Sequence, residues 1–148
     1  MRSTANRSGY CSSCSNLVTS DSDAIKAVLN AYRDALVASS VDGCVSLYAK
    51  DGVTMAQNFP TQVGQDAIKV WYAKTFEAIT LSVKFDIKEV VVASDEYAFA
   101  RTTSAGTQKV NKTGETSQEG NQELFVMKKV DGDWKIARYC FCTTNPAK

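Results

Sequence analysis

Two charged residues lie where apolar neighbours and an alternating pattern predict the interior of a β-strand. Arg101 lies within residues 97–107 and Glu123 within residues 121–130. An unpaired charge is costly to bury, so each side chain needs a partner or a ligand. A carboxylate can take a proton and a guanidinium can hold an oxyanion, which together would support acid–base catalysis. A structural ion pair, or two side chains that face solvent, are the alternatives.

Strand alternation assigns further side chains to the same face as Arg101 and Glu123. We predict that this face is concave and that it is closed by one residue of an early strand and by aromatic residues of the third helix. It would form a pocket for a small apolar ligand. The predicted ligand-binding residues are Met55, Trp71, Tyr72, Phe76, Phe99, Thr103, Asn121, Phe125, Tyr139 and Phe141.

The elements that must position these residues follow from periodicity and turn signals. Apolar spacing of three and four predicts helices over residues 20–40, 41–48 and 65–79, with Ser20 and Asp23 as a capping pair. Alternation predicts strands over 53–56, 81–93, 97–107, 121–130 and 134–143, with a polar hairpin loop over 109–120. Consecutive strands joined by short turns pair antiparallel. We therefore predict an α+β fold, in which a curved antiparallel sheet wraps around three helices as a cone-shaped barrel with an internal pocket.

Composition limits the function classes. The 148 residues fit one domain, with residues 1–20 as a flexible tail and residues 21–148 as the folded part. The net charge is +1, which gives no basic face for nucleic acid and no attraction to an anionic membrane. No apolar run is long enough to cross a membrane, and the N-terminal stretch lacks the apolar centre of a secretory signal. We expect a cytoplasmic protein.

The ligand chemistry of the side chains argues against a metal site. The chain has no histidine, which excludes Ser-His-Asp and Cys-His catalysis by its own residues. Cys11 and Cys14 form a CxxC in the predicted tail and, together with Cys140 and Cys142, could in principle bind zinc. The CxC spacing is unusual for zinc, and small strand residues are the simpler interpretation. We predict neither a metal nor an organic cofactor.

Four segments resemble a known superfamily. They are AYRDALVASSVDGCVSLYAKDGVTM, VGQDAIKVWYAKTF, DEYAFARTTSAGT and ELFVMKKVDGDWKIARY. They resemble the nuclear transport factor 2-like superfamily, and within it the SnoaL-like and ketosteroid-isomerase-like small-pocket proteins. The resemblance covers about residues 22–144. It implies a cone-shaped fold with a blind pocket, commonly as a homodimer, in proteins that include isomerases, cyclases, dehydratases and pure binding or assembly domains.

The resemblance also carries over residue roles. Tyr32 matches the tyrosine that donates a hydrogen bond to a developing enolate in isomerase-like members, so we place it with Glu123 and Arg101 as a candidate catalytic residue. The positions of the isomerase's two carboxyl groups fall near Ala56 and Phe125, so that chemistry is incomplete here. Two hypotheses follow: an isomerase- or lyase-type enzyme acting on an apolar, oxygen-bearing metabolite, or a non-catalytic ligand-binding or dimerisation module.

Overall fold

The fold is described by a computed structural model for residues 19–147. Most of the predicted tail, including Cys11 and Cys14, lies outside these residues. No helix in the described part is long and apolar enough to span a membrane. The helices are α1 (Asp21–Val37), α2 (Val41–Val45) and α3 (Gln65–Ala78), and the strands are β1 (Tyr48–Ala56), β2 (Gln62–Val63), β3 (Ile79–Val92), β4 (Tyr97–Val110), β5 (Thr116–Val130) and β6 (Asp133–Thr143).

The strands form one curved, open sheet, and the predicted α+β class is confirmed. The strand order is β2-β1-β6-β5-β4-β3. The three hairpins that join β3 to β6 are antiparallel, as is the pair β1–β2. The pair β1–β6 is parallel, which the sequence did not predict. The first and last strands of the chain therefore lie side by side within the sheet.

Several predicted element boundaries were wrong. Residues 109–120 are mostly strand, because β4 runs to Val110 and β5 begins at Thr116. Tyr48 begins β1 instead of ending α2, and the short strand β2 was not predicted. The tight turn between β4 and β5 also supports helix α3, since the Asn111 side-chain amide donates to the carbonyls of Phe76 and Glu77, both at 3.0 Å. This contact satisfies carbonyls that the end of α3 leaves unpaired.

Helix α1 forms as the sequence predicts. The Ser20 hydroxyl oxygen accepts the Asp23 backbone N–H at 3.2 Å, which caps the first turn. The helix buries one apolar stripe against the sheet. Its N-terminal end is fixed to β6, because the indole N–H of Trp134 donates to Asp21 Oδ1 at 2.9 Å. The buried residues of the stripe are Ile25, Leu29, Tyr32, Ala35 and Leu36.

The inner face of the sheet combines small residues on β4 with large residues on β5. Ala98 pairs with Met127 and Ala100 pairs with Phe125, and all four side chains are buried. A small side chain beside a large one fills a concave surface without overlap. Beyond these pairs the inner face becomes more polar, and it is this part that leaves room for a cavity.

Candidate active site

A cavity of about 760 Å³ lies between the concave face of the sheet and helices α1 and α3. This volume is in the range that small-molecule sites occupy. Its lining is mostly apolar, with a few polar groups that converge from several strands. The lining includes Tyr32, Leu36, Ala56, Trp71, Tyr72, Thr75, Ile79, Leu81, Val83, Phe85, Ser104, Gln108, Glu119, Asn121, Glu123, Tyr139, Phe141 and Thr143.

Glu123 is the buried carboxyl group of this cavity. It projects from β5 and is only 5% exposed. The Thr102 hydroxyl donates to its Oε2, and the Ser104 hydroxyl donates to its Oε1 at 2.8 Å. Desolvation raises the pKa of Glu123 above its ordinary value of 4.5, and the hydroxyls of Thr102, Ser104 and Tyr139 partly offset that rise. A carboxyl group with a raised pKa is a stronger base when ionised and a usable acid when protonated.

The hydroxyl groups of three tyrosines, each on a different element, form a chain of hydrogen bonds beside the cavity. The hydroxyls of Tyr32 and Tyr72 are 2.6 Å apart, and those of Tyr72 and Tyr48 are 3.0 Å apart. All three rings are buried. Burial raises the pKa of Tyr48 to about 12 and those of Tyr32 and Tyr72 well above 10, so these hydroxyls are neutral hydrogen-bond donors at neutral pH.

Tyr139 connects this tyrosine cluster to the carboxyl group. Its ring stacks on Phe125 with the centroids 4.3 Å apart and meets Tyr32 edge to face at 5.4 Å. Burial raises the pKa of Tyr139 well above 10, and the charge of Glu123 raises it further. The site therefore combines a buried carboxyl group, Glu123, that can exchange a proton with phenolic donors that can hold a developing oxyanion.

Comparisons with known proteins identify the family of this chain. The SnoaL-like domain model matches residues 29–139. A ketosteroid isomerase-like protein from Erwinia carotovora is 34% identical, with 83% of this chain and 95% of that chain covered and a TM-score of 0.80. The chain belongs to the SnoaL-like domain family. No curated protein gives a significant match to this SnoaL-like chain.

Two further solved structures share the fold at lower identity. One is a candidate scytalone dehydratase from Novosphingobium aromaticivorans, 22% identical, with 82% of this chain and 83% of that chain covered and a TM-score of 0.70. The other is a candidate calcium/calmodulin-dependent protein kinase II association domain from Xanthomonas campestris, 19% identical, with 84% and 89% covered and a TM-score of 0.69. At these identities the likeness concerns the fold alone.

The prediction that Arg101 faces the cavity was wrong. Its guanidinium lies on the outer face of β4, where Nε donates to Glu89 Oε1 at 2.9 Å. Both side chains are about half exposed. The reason is the pairing of β4 with β5, in which Thr102 lies opposite Glu123 and Arg101 lies opposite Leu124. Residues directly opposite each other on neighbouring strands point to the same side of the sheet. Glu123 therefore shares a side with Thr102, and Arg101, the residue before Thr102, points to the other side.

The other predicted residues fall into three groups. Phe99 and Thr103 share the outer face with Arg101, and Met55 lies opposite the exposed Cys140 on that same face, so these three predicted positions were also wrong. Phe76 and Phe125 lie on the inner side but are buried behind the lining, where they stack on Tyr72 and Tyr139. The predicted residues that line the cavity are Tyr32, Trp71, Tyr72, Asn121, Glu123, Tyr139 and Phe141.

Several residues with polar side chains at or beside the site were not predicted, among them Thr102, Ser104, Tyr48 and Glu119. Thr102 and Ser104 were assigned to the wrong face of β4, and Tyr48 was assigned to a helix. Glu119 was placed in a loop, whereas it lies on β5 and lines the cavity. The length of the hairpin turn was the available signal, because it decides that odd-numbered residues of β5 face even-numbered residues of β4.

The described residues contain no group of three or more potential metal ligands. Cys44 is buried, and burial raises its pKa to about 12, which keeps the thiol protonated. Cys140 is exposed and Cys142 is half-buried, and the Cys142 sulfur accepts the Gln122 amide at 3.1 Å.

Proposed function

We propose that this SnoaL-like protein is an enzyme of the isomerase, cyclase or dehydratase type. It would act by proton transfer on a small apolar metabolite that carries an oxygen, with its own side chains supplying the chemistry. The observation that carries the proposal is the position of Glu123, a buried carboxyl group in a mostly apolar cavity with the Tyr139 hydroxyl beside it. Burial of this kind is how active sites adjust a carboxyl group to acid–base work near neutral pH.

The proposed step is abstraction of a proton from carbon. Ionised Glu123 takes a proton from the carbon next to a substrate carbonyl, and the electron pair of that C–H bond moves to the carbonyl oxygen as an enolate. A tyrosine hydroxyl donates a hydrogen bond to this oxyanion. The protonated Glu123 then gives the proton to a conjugated carbon, which completes an isomerisation and leaves Glu123 ionised, whereas return to the original carbon gives proton exchange alone.

The hydroxyl chain supports Tyr32 as the donor to the oxyanion. If Tyr48 donates to Tyr72 and Tyr72 donates to Tyr32, the hydrogen of the Tyr32 hydroxyl points to neither of them and can be donated to a substrate oxygen in place of the neighbouring Tyr139 hydroxyl. Hydrogen bonds in such a chain polarise one another, which makes the terminal donor stronger. Tyr32 lines the cavity, as this role requires.

The base in this proposal comes from a different strand than the family resemblance implies. Ala56 lines the cavity where the isomerase-like members carry the base, and Phe125 is buried where they carry a second carboxyl group. Glu123 lies on β5, which β6 separates from β1 in the sheet. It would therefore approach a substrate from another direction. We therefore propose a different substrate orientation from that of the isomerase-like members.

The substitution Glu123→Gln tests the proposal. It keeps the size of the side chain and removes the proton acceptor, so carbon-bound proton exchange should slow by about a hundredfold or more. The measurement is deuterium incorporation into β-tetralone, an apolar bicyclic ketone, in heavy water followed by mass spectrometry. The melting temperature should remain nearly unchanged, because the amide still pairs with the two hydroxyls.

Glu115→Gln is the matched control. Glu115 is exposed at the β4–β5 turn, and its substitution changes the net charge by the same amount. Exchange by this variant should equal that of the wild type. If Glu123→Gln exchanges deuterium as fast as the wild type, or if the wild type gives no exchange above buffer, the proposed function is wrong.

A second proposal concerns assembly. The outer face of the sheet exposes Phe99 and Leu124, at 38% and 48%, with Val91 and Val126 paired to Phe99. Apolar patches of this kind mark association surfaces. We propose a homodimer formed through this face, and the dimerisation module remains the alternative function if no chemistry is found.

A further inference from the structure

A second carboxyl group lies in the same cavity and has no part in the proposed reaction. Glu119 is on the same face of β5 as Glu123, four residues earlier, which separates their Cα atoms by about 13 Å along the strand. Asn121 lies between them and also lines the cavity. The cavity therefore contains two carboxyl groups, those of Glu119 and Glu123, at separate positions along β5.

Glu119 is not satisfied by the protein around it. Its Oε2 is shielded from solvent and has no hydrogen-bond partner among the described residues. Lys74 also lines the cavity but forms no salt bridge with Glu119 in the described part of the chain. Desolvation raises the pKa of Glu119. A buried polar group without a partner is costly, and such groups in native proteins call for an explanation.

Both polar and apolar side chains line the cavity around the two carboxyl groups: Asn121 lies between them on β5, with Ser104 opposite it on β4. Val83 and Phe85 approach the cavity from β3, and Phe141 approaches from β6. Opposite Glu119 on β4 is Gly106, which contributes no side chain. Because the lining of the cavity as a whole is mostly apolar, a ligand that reaches both carboxyl groups should be apolar along most of its length.

This inference rests on the proposed use of the cavity for a small apolar molecule. We propose that Glu119 is a specificity-determining residue, and that the substrate is an elongated, mostly apolar molecule with an oxygen function at the Glu123 end and a hydroxyl group at the Glu119 end.

A hydroxyl group fits Glu119 better than other oxygen functions. It donates to a carboxylate and accepts from a carboxylic acid, so it pairs with Glu119 in either protonation state. A carbonyl can only accept and would pair with the protonated form alone. Bound at this end, a hydroxyl would supply the hydrogen-bonding group that Glu119 lacks.

Two rigid probes that differ by one hydroxyl test the inference. They are para-hydroxybiphenyl and para,para′-dihydroxybiphenyl, with affinities measured by isothermal titration calorimetry. The wild type should bind the diol about tenfold more tightly than the mono-alcohol, because a hydrogen bond to a carboxyl group adds that much affinity. Glu119→Leu should remove this preference without weakening the mono-alcohol, and Glu119→Gln, which keeps a polar end, should restore part of it.

Glu115→Leu is the matched control and should keep the full preference for the diol. The melting temperature of Glu119→Leu should equal or exceed that of the wild type, because a desolvated carboxyl group is replaced by an apolar side chain. The inference is overturned if Glu119→Leu keeps the preference, if it weakens both probes equally, or if the wild type binds neither. These affinities do not depend on turnover, so binding through Glu119 in a chain that exchanges no deuterium would defeat only the proposed function.

Discussion

The carboxyl group of Glu123 is subject to two opposing effects. Desolvation favours its protonated form, while the hydroxyls of Thr102 and Ser104 favour the ionised form. The net effect is a pKa above 4.5, so between 4.5 and that raised value the folded state binds more protons than the unfolded state. Stability contributed by Glu123 is therefore present at low pH and is lost as the pH rises through this window.

The two hydroxyl donors should set the pH dependence of the reaction. Because the base is the ionised form, deuterium exchange should rise with pH, with a midpoint above 4.5. Thr102→Val removes one donor while keeping the shape of the side chain, so the midpoint should move to higher pH. The measurement is the exchange rate of β-tetralone across a pH series. Thr103→Val, on the outer face, should leave the midpoint unchanged, and a midpoint that moves down in Thr102→Val would contradict this account.

Single residues were the hardest part of the site to predict. Glu123 was found from the sequence because its carboxyl group lies among apolar neighbours on β5. Arg101 has similar neighbours on β4, but there Tyr97 and Phe99 are exposed and the inner face carries alanines. The large apolar residues of β4 suggest the inner face by their size, whereas next to Phe125 and Met127 only small residues fit.

At the scale of elements, the tyrosine cluster joins three parts of the fold. Tyr32 belongs to α1, Tyr48 to β1 and Tyr72 to α3, and their hydroxyls meet at one point. Each ring also contributes buried apolar area. The cluster therefore both fixes the helices to the sheet and holds the proposed donor in place.

Tyr72→Phe should lower both the stability of the fold and the rate of deuterium exchange. The change leaves the hydroxyls of Tyr32 and Tyr48 without their shared partner, which should cost about 1–3 kcal/mol of the free energy of unfolding. Deuterium exchange should also slow, because Tyr32 loses the group that polarises it. Chemical denaturation and the β-tetralone assay measure the two effects.

The exposed Tyr97 provides the comparison for this variant. Tyr97→Phe should change the free energy of unfolding by less than about 0.5 kcal/mol and leave exchange intact. Equal stability of Tyr72→Phe and the wild type would show that the hydroxyl chain does not hold the elements together.

Elements with a strong burial pattern were predictable, and solvent-exposed ones were not. The stripe and cap of α1 follow from residue types alone. The outer ends of β4 and β5 carry polar residues such as Lys109, Thr116 and Gln118, whose composition is typical of a loop. Their ladder of backbone hydrogen bonds, not burial, makes them strands.

At the scale of the molecule, the outer face of the sheet is the surface most suited to a second copy. Leu124 lies at its centre, between Arg101 on β4 and Cys140 on β6. The salt bridge of Arg101 with Glu89 borders the apolar patch. A patch with an apolar centre and charged margin is typical of interfaces between subunits.

Leu124→Asp should disrupt the proposed homodimer. A charge at the centre of an apolar interface would be desolvated, and the neighbouring Arg101 is already paired with Glu89, so the variant should be monomeric. Size-exclusion chromatography with light scattering gives the mass directly. Val63→Asp, which changes an exposed apolar residue of β2, should remain dimeric. A wild-type mass equal to one chain would rule out the dimer.

The overall fold could be predicted because the order of elements and the family resemblance agree. Short turns between β3, β4, β5 and β6 leave antiparallel pairing as the simple solution. The pairing of β1 with β6 could not be read from turns, since it joins segments separated by most of the chain. The shape of the cavity depends on that pairing and on side-chain sizes, which single-strand patterns do not specify.

The parallel pairing of β1 with β6 also constrains how a ribosome-bound chain can fold. Tyr48 pairs with Ile136 and Thr54 pairs with Tyr139. Strand β1 therefore cannot pair with β6 until nearly all of the chain has been synthesised. During that wait the β3–β4 hairpin can form, but the aromatic wall supplied by β6 is missing. Nascent chains halted before β6 emerges would expose Phe125 and Tyr32, which makes them candidates for chaperone capture.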